Sequence, residues 1–182
     1  MTLIQRTPCS CPIAARGFGF LMTAVLPRTL FHATPLYRYN PNATDNHGIW
    51  APAVHGQIKD HGLKPSMHSS RDVPVIFPTD EVGIATNYAD CNRGEEWPVD
   101  LIVLEVDTTV LDPAHLLPDM DQEAQIMADD ILVLGYTQSE WDAGVIPWAP
   151  VFKITGQVRY SAPIPDSAIT PFKLLPVDPP SR

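Results

Sequence analysis

Proline constrains this chain more than any other residue. Twenty of its 182 positions are proline, about twice the usual share of roughly 5%. Each proline removes a backbone donor and clashes with the preceding turn of a helix. Long helices are therefore expected to be few, and short strands joined by stiff loops many. The material for a core is present: 45% of residues are apolar and 18% charged, a globular balance rather than a disordered one. The length suits one domain, with or without tails.

The clearest element is Asp100–Asp107 (DLIVLEVD), whose nearly continuous apolar run predicts a strand in a buried central position. Thr29–Thr34 (TLFHAT), between Pro27 and Pro35, predicts a second strand, and Val73–Phe77 (VPVIF) a third. Val151–Ile154 and Gln157–Tyr160 read as two more. A helix is expected over Ala53–His61 and stopped by Gly62, and another over Glu81–Asp90, capped by Thr79 and Asp80. Residues 35–50 and 64–72 read as loops, and 111–130 as loop and short helix over the core. Ile131–Leu134 is a strand or a helix end, and the chain from Ser161 onward reads as a proline-rich, fraying tail. The expected organisation is an α+β domain of short strands and two or three small helices over residues 28–172. A loose extension precedes it at 1–27, where Met22 is a candidate start, and a tail follows at 173–182.

Several function classes fall away. A formal charge of −9 repels nucleic-acid backbones at long range and argues against a general nucleic-acid binder. Cys9, Cys11 and Cys91 cannot form a four-thiolate zinc site and read as free thiols of a reducing compartment. The first acidic residue is Asp45, whereas Arg6, Arg16, Arg28 and Arg38 precede it. That charge pattern suits a transit peptide, but no helical arginine face accompanies it, and the expected location is cytoplasmic. No apolar run reaches the roughly 20 residues of a membrane span. His47, His55, His61 and His68 fit no metal-binding spacing, and Asp119–Asp130 (DMDQEAQIMADD) lacks the glycine and ligand spacing of a calcium loop. It reads as a solvated surface, and no metal is expected. Nucleophile-elbow, P-loop and Rossmann patterns are missing from the sequence.

Three blocks, in order, resemble the ADP-ribosyltransferases of the diphtheria-toxin and poly(ADP-ribose) polymerase type. The first is Leu30-Phe31-His32-Ala33-Thr34, followed by AVHGQIKDHGLKP, which is similar to the family's helix and Gly-Leu corner. The second is Val75-Ile76-Phe77-Pro78-Thr79-Asp80 with Ala85-Thr86-Asn87-Tyr88; Phe77 and Tyr88 stand eleven residues apart. The third is Gly156-Gln157-Val158-Arg159-Tyr160, with Pro163-Ile164-Pro165 and Ile169 beyond. The blocks span most of residues 29–172.

The resemblance implies an ADP-ribosyltransferase-like fold, a split mixed β-sheet with a few short helices, binding NAD as substrate. It implies that His32 bonds a ribose hydroxyl, that the Ala33 amide receives the carboxamide, that Thr34 belongs to the same cofactor-binding set, and that Phe77 and Tyr88 sandwich the nicotinamide ring. Phe77 departs from the family's usual tyrosine but keeps the ring. Gln157 stands where a catalytic glutamate is common; a neutral amide can bond the ribose hydroxyl but brings no negative charge. Glu140, within Gln138-Ser139-Glu140, matches the Gln-x-Glu pattern of some toxin transferases and is the nearby candidate carboxylate. The implied activity is mono-ADP-ribosylation of a protein, nucleic-acid or small-molecule acceptor. Two alternatives stay open: an RNA 2′-phosphotransferase-like enzyme using Arg28, Arg38 and Arg71, and a transferase fold kept as a binding module.

Overall fold

A computed structural model describes residues 25–40, 57–65, 73–93, 100–119, 132, 135–143 and 145–176. In chain order these form β1 (Thr29–Pro35), α1 (Leu36–Tyr39), α2 (Gln57–His61), α3 (Val82–Arg93) and β2 (Leu101–Asp107). Two 3-10 turns, Thr108–Val110 and Pro113–His115, lead to β3 (Leu116–Pro118). Then come α4 (Gln138–Asp142), α5 (Trp148–Thr155), β4 (Val158–Tyr160), a 3-10 turn at Asp166–Ala168, and β5 (Ile169–Leu175). The coarse α+β expectation holds.

The apolar run at 101–107 is central, as its composition requires. β2 lies between β1 and β5 in a three-stranded antiparallel sheet, with Leu30 opposite Val106 and Thr34 opposite Ile102. Val103, Leu104 and Val106 are fully buried, and each such side chain contributes on the order of 1.5–3 kcal/mol. β3 and β4 make a second, two-stranded sheet.

Residues 75–80 join the two sheets. Thr79 exchanges both backbone bonds with Phe31 of β1, at 2.6 and 2.9 Å, and Ile76 exchanges both with Tyr160 of β4, at 2.9 Å each. One register runs along the β4 side, with Ile76 opposite Tyr160 and Thr79 opposite Gln157. The Val158 amide bonds the Pro78 carbonyl at 3.1 Å, but proline has no N–H to return the bond. This explains why the expected VPVIF strand is an interrupted one: Pro74 and Pro78 leave gaps in a ladder whose register is otherwise intact. The pairings among the described residues are all antiparallel, so the mixed sheet expected from the resemblance is not seen in them.

The main core gathers Leu30, Ile76, Ile102, Leu104, Val106, Phe152, Val158, Tyr160 and Ile164 on one side of this ribbon of strands. Across the sheet, α3 sets Ala89 against Leu101 and Tyr37, with Ala33 and Leu175 alongside.

Several expectations are corrected. Val151–Ile154 is helix, not strand: α5 starts after Pro147, keeps Pro150 in its first turn where no amide bond is lost, and ends at Gly156 with φ +67°. It buries Val151, Phe152 and Thr155, one face of a helix. The chain beyond Ser161 holds β5, which extends through Leu175, past the expected domain end at 172. Its register with β2 shifts between Val103 and Leu104, where Phe172 is the extra residue between Pro171 and Lys173. That bulge and Pro171 broke the alternation by which a strand is recognised. β3 arises within the expected loop 111–130, and one helical turn, α1, within the expected loop 35–50. Asp119, expected on a solvated surface, is buried at the end of β3, with only 2% exposure. The described helices number five, not two or three. α3 spans Val82–Arg93 rather than Glu81–Asp90, and α2 begins at Gln57, with 53–56 outside the described residues. Gly62 ends α2 as expected, at φ +72°. The extension 1–24, most of 120–134, and residues His47, His55, His68 and Arg71 also lie outside the description. Among the described residues no helix is long and apolar enough to cross a membrane, and no group of three or more His, Cys, Asp or Glu could hold a metal ion.

Candidate functional site

The pairing of β1 with residues 75–80 stops at Phe31–Thr79. Two residues further along, Ala33 and Phe77 would be the next bonded pair of an antiparallel ladder, yet no bond joins them. The strands part instead, and the gap becomes a small, shallow cleft, partly open to solvent, lined by His32, Ala33, Phe77, Pro78, Thr79, Ile84, Ala85 and Gln157.

Strand alternation decides what faces the gap. Phe31 turns its N–H and C=O toward Thr79, so Ala33, two residues on, turns its own away from β2 and into the cleft. The cleft thus holds one backbone donor and one backbone acceptor side by side. His32, half-buried, places Nδ1 3.3 Å from the Phe77 carbonyl oxygen. A carbonyl only accepts, so Nδ1 is the donor in this contact. This bond bridges the two parted strands.

β4 delivers Gln157 from the other side. The Gln157 amide donates to Thr155 Oγ1 at 3.0 Å, while its half-buried side-chain carboxamide makes no hydrogen bond among the described residues. A partly desolvated amide with one acceptor and two donors is suited to a polar ligand group. Ile84 and Ala85 supply an apolar wall from the first turn of α3. Tyr88 follows Ile84 by four residues, one turn further along the same helix; its side chain lies outside the description.

The structure therefore brings four of the expected site residues, His32, Ala33, Phe77 and Gln157, to one cleft from positions as far as 125 residues apart. Thr34 does not line it: this residue is buried, opposite Ile102 of β2. Glu140 does not line it either. Its Oε2 accepts from the Thr137 amide at 2.7 Å and from Thr137 Oγ1 at 2.8 Å, and Thr137 Oγ1 accepts from the Glu140 amide at 3.2 Å. That is a capping box at the start of α4. The Thr137 backbone bond, then the side-chain bond, lower the carboxyl's pKa from its ordinary value. The helix end engages this carboxylate through Oε2. Of the arginines weighed for phosphate binding, Arg28 and Arg38 are exposed and line no part of the cleft.

Pro78, Thr79, Ile84 and Ala85 were not anticipated as lining residues. Thr79 is the expected helix cap, and it does accept a long bond from the Glu81 amide at 3.4 Å. Ile84 and Ala85 were legible as the turn of helix before Tyr88. Compared with family models, with curated proteins and with solved structures, the chain finds no match. The chemistry of the cleft has to carry the reading.

Proposed function

We propose that this chain is a mono-ADP-ribosyltransferase of the ADP-ribosyltransferase-like fold, taking NAD as its substrate. The observation that supports it is the convergence of His32 and Ala33, Phe77, and Gln157 on one cleft where a sheet splits. Each comes from a different one of the three blocks that resemble the family.

Nicotinamide is a planar ring with a neutral carboxamide, and the cleft has a counterpart for each part. Phe77, Ile84 and Ala85 offer apolar surface to the ring, and Tyr88 stands one turn beyond. The Ala33 N–H and C=O match the carboxamide's acceptor and donor. His32 bonds a ribose hydroxyl, and the Gln157 carboxamide bonds another beside the anomeric carbon. The bond from that carbon to the nicotinamide nitrogen breaks, with its electron pair leaving on nicotinamide. A lone pair of the acceptor then forms the new bond. The residues named contribute positioning and dipoles aimed at developing charge. A neutral Gln157 makes this a slow, single-transfer enzyme that does not elongate chains.

A second reading has a specific observation behind it. Gln157 brings no negative charge to an oxocarbenium-like centre, which suits a fold that binds NAD without cleaving it. Nicotinamide release from labelled NAD separates the two. The wild-type protein is expected to release nicotinamide slowly, Gln157→Glu faster, and Gln157→Ala more slowly. A preorganised group at the reacting charge is typically worth about 2.7–4 kcal/mol, a hundred- to a thousandfold in rate. Stabilisation by NAD without release, and no gain in Gln157→Glu, would favour the binding module. No release and no thermal shift at millimolar NAD would refute both.

A further inference from the structure

Thr79 is one of five buried polar or charged side chains among the described residues, at 3% exposure, and three elements meet on it. Its backbone is bonded to Phe31 of β1, its Cα stands opposite Gln157, and its amide neighbour Asp80 bonds the Gly156 carbonyl at 2.9 Å. Its hydroxyl donates to that same carbonyl at 2.8 Å. The Gly156 carbonyl therefore takes two donors. Gly156 itself holds φ +67° as it ends α5, and its amide bonds Phe152 at 2.7 Å. The carbonyl of residue 156 and the amide of residue 157 share one peptide plane. Whatever holds that carbonyl also sets the direction in which Gln157 leaves the turn.

We infer that Thr79 is a positioning residue for Gln157: its hydroxyl holds the carbonyl end of the Gly156–Gln157 peptide plane, whose amide end bonds Thr155 Oγ1, and so helps fix where the Gln157 carboxamide stands across the cleft from His32. Its link to catalysis rests on the function proposed above, whereas its link to Gln157 does not. No other side chain among the described residues donates to the Gly156 carbonyl, and Asp80 reaches it only through the backbone.

The test compares Thr79→Val, which keeps the shape and loses the hydroxyl, with Thr79→Ser, which keeps the hydroxyl. Thr79→Ala serves if the valine variant does not fold. Two readouts are taken on the whole chain. The first needs no ligand: the {1H}–15N nuclear Overhauser effect and shift of the Gln157 backbone amide. Both are expected to move in Thr79→Val and Thr79→Ala while the Val151 and Phe152 amides stay in place, and to stay near wild type in Thr79→Ser. The second is nicotinamide release. A displaced reacting group can cost on the order of a hundredfold, so kcat is expected to fall about ten- to a hundredfold in Thr79→Val, with KM for NAD within about twofold of wild type and recovery in Thr79→Ser. An unchanged Gln157 amide in both hydroxyl-free variants overturns the inference, whatever the activity. If the amide moves but the wild-type protein cleaves no NAD, the positioning role stands and the proposed function falls.

Discussion

Gly62→Ala is the substitution whose cost the structure specifies most fully. Gly62 ends α2 at φ +72°, a conformation that L side chains rarely adopt, and imposing it on alanine costs about 1–2 kcal/mol. Space adds to the strain. A Cβ at this position would collide with the Ile164 carbonyl oxygen and stand 2.8 Å from the Asp166 nitrogen. These are backbone atoms and cannot swing aside. To make room, residues 164–166 must retreat from Leu63, whose two bonds with Ile164, 2.9 Å each, would break. Each is worth about 0.5–1.5 kcal/mol net. The combined loss is about 2–5 kcal/mol, a large part of a typical domain's 5–15 kcal/mol. Gly83→Ala is the control: in the first turn of α3, its Cβ would meet nothing within 4 Å, and helix propensity predicts a gain of about 0.5 kcal/mol. Urea unfolding, with midpoints compared at constant slope, measures both. A Gly62→Ala midpoint indistinguishable from wild type would refute the close approach of α2 to residues 164–166.

At the cleft, Tyr88→Ala is expected to weaken binding of NAD or a benzamide more than Phe77→Leu, by about 0.5–1.5 kcal/mol if its ring stacks; equal, unaltered affinities by calorimetry would remove both rings from the site. Glu140 makes a pH-dependent contribution to α4. Its folded pKa is lowered, chiefly by the Thr137 backbone bond, so its stabilisation is present above the ordinary glutamate value and is lost as pH falls through the lowered native one. Wild type should thus unfold at a higher urea midpoint than Glu140→Gln at neutral pH, with the gap closing in acid; a constant gap would show that the box does not depend on the charge.

What was legible in the sequence followed its physical simplicity. β2 was readable because a strand buried on both faces must be apolar at nearly every position. Gly62 was readable as punctuation. The misread segments are those where local composition and context disagree. Val151–Ile154 has the residues of a strand, but Pro147 and Gly156 bracket a helix, and tertiary burial along one helical face prevails over β propensity. β3 is three residues long, too short for any period to show, and β5 hides behind Pro171 and a bulge. The cleft was half legible. The family resemblance pointed to His32, the Ala33 amide, Phe77 and Gln157, whereas the part played by the Thr79 hydroxyl depends on where two strands part, which no local pattern records.

The bulge in β5 bears on the molecule's solubility. Among the described residues β5 borders its three-stranded sheet, and a bordering strand is a template on which another chain can add itself. Here Pro171 withholds a donor, Phe172 is displaced against Phe31 with ring centres 5.3 Å apart, and the exposed Lys173 carries a charge. A foreign strand approaching this border would meet a missing bond, a step in the backbone and an ammonium group within three consecutive positions. Irregularity at 171–173 acts as a guard against polymerisation, and a flatter, smoother β5 would be an invitation to fibres.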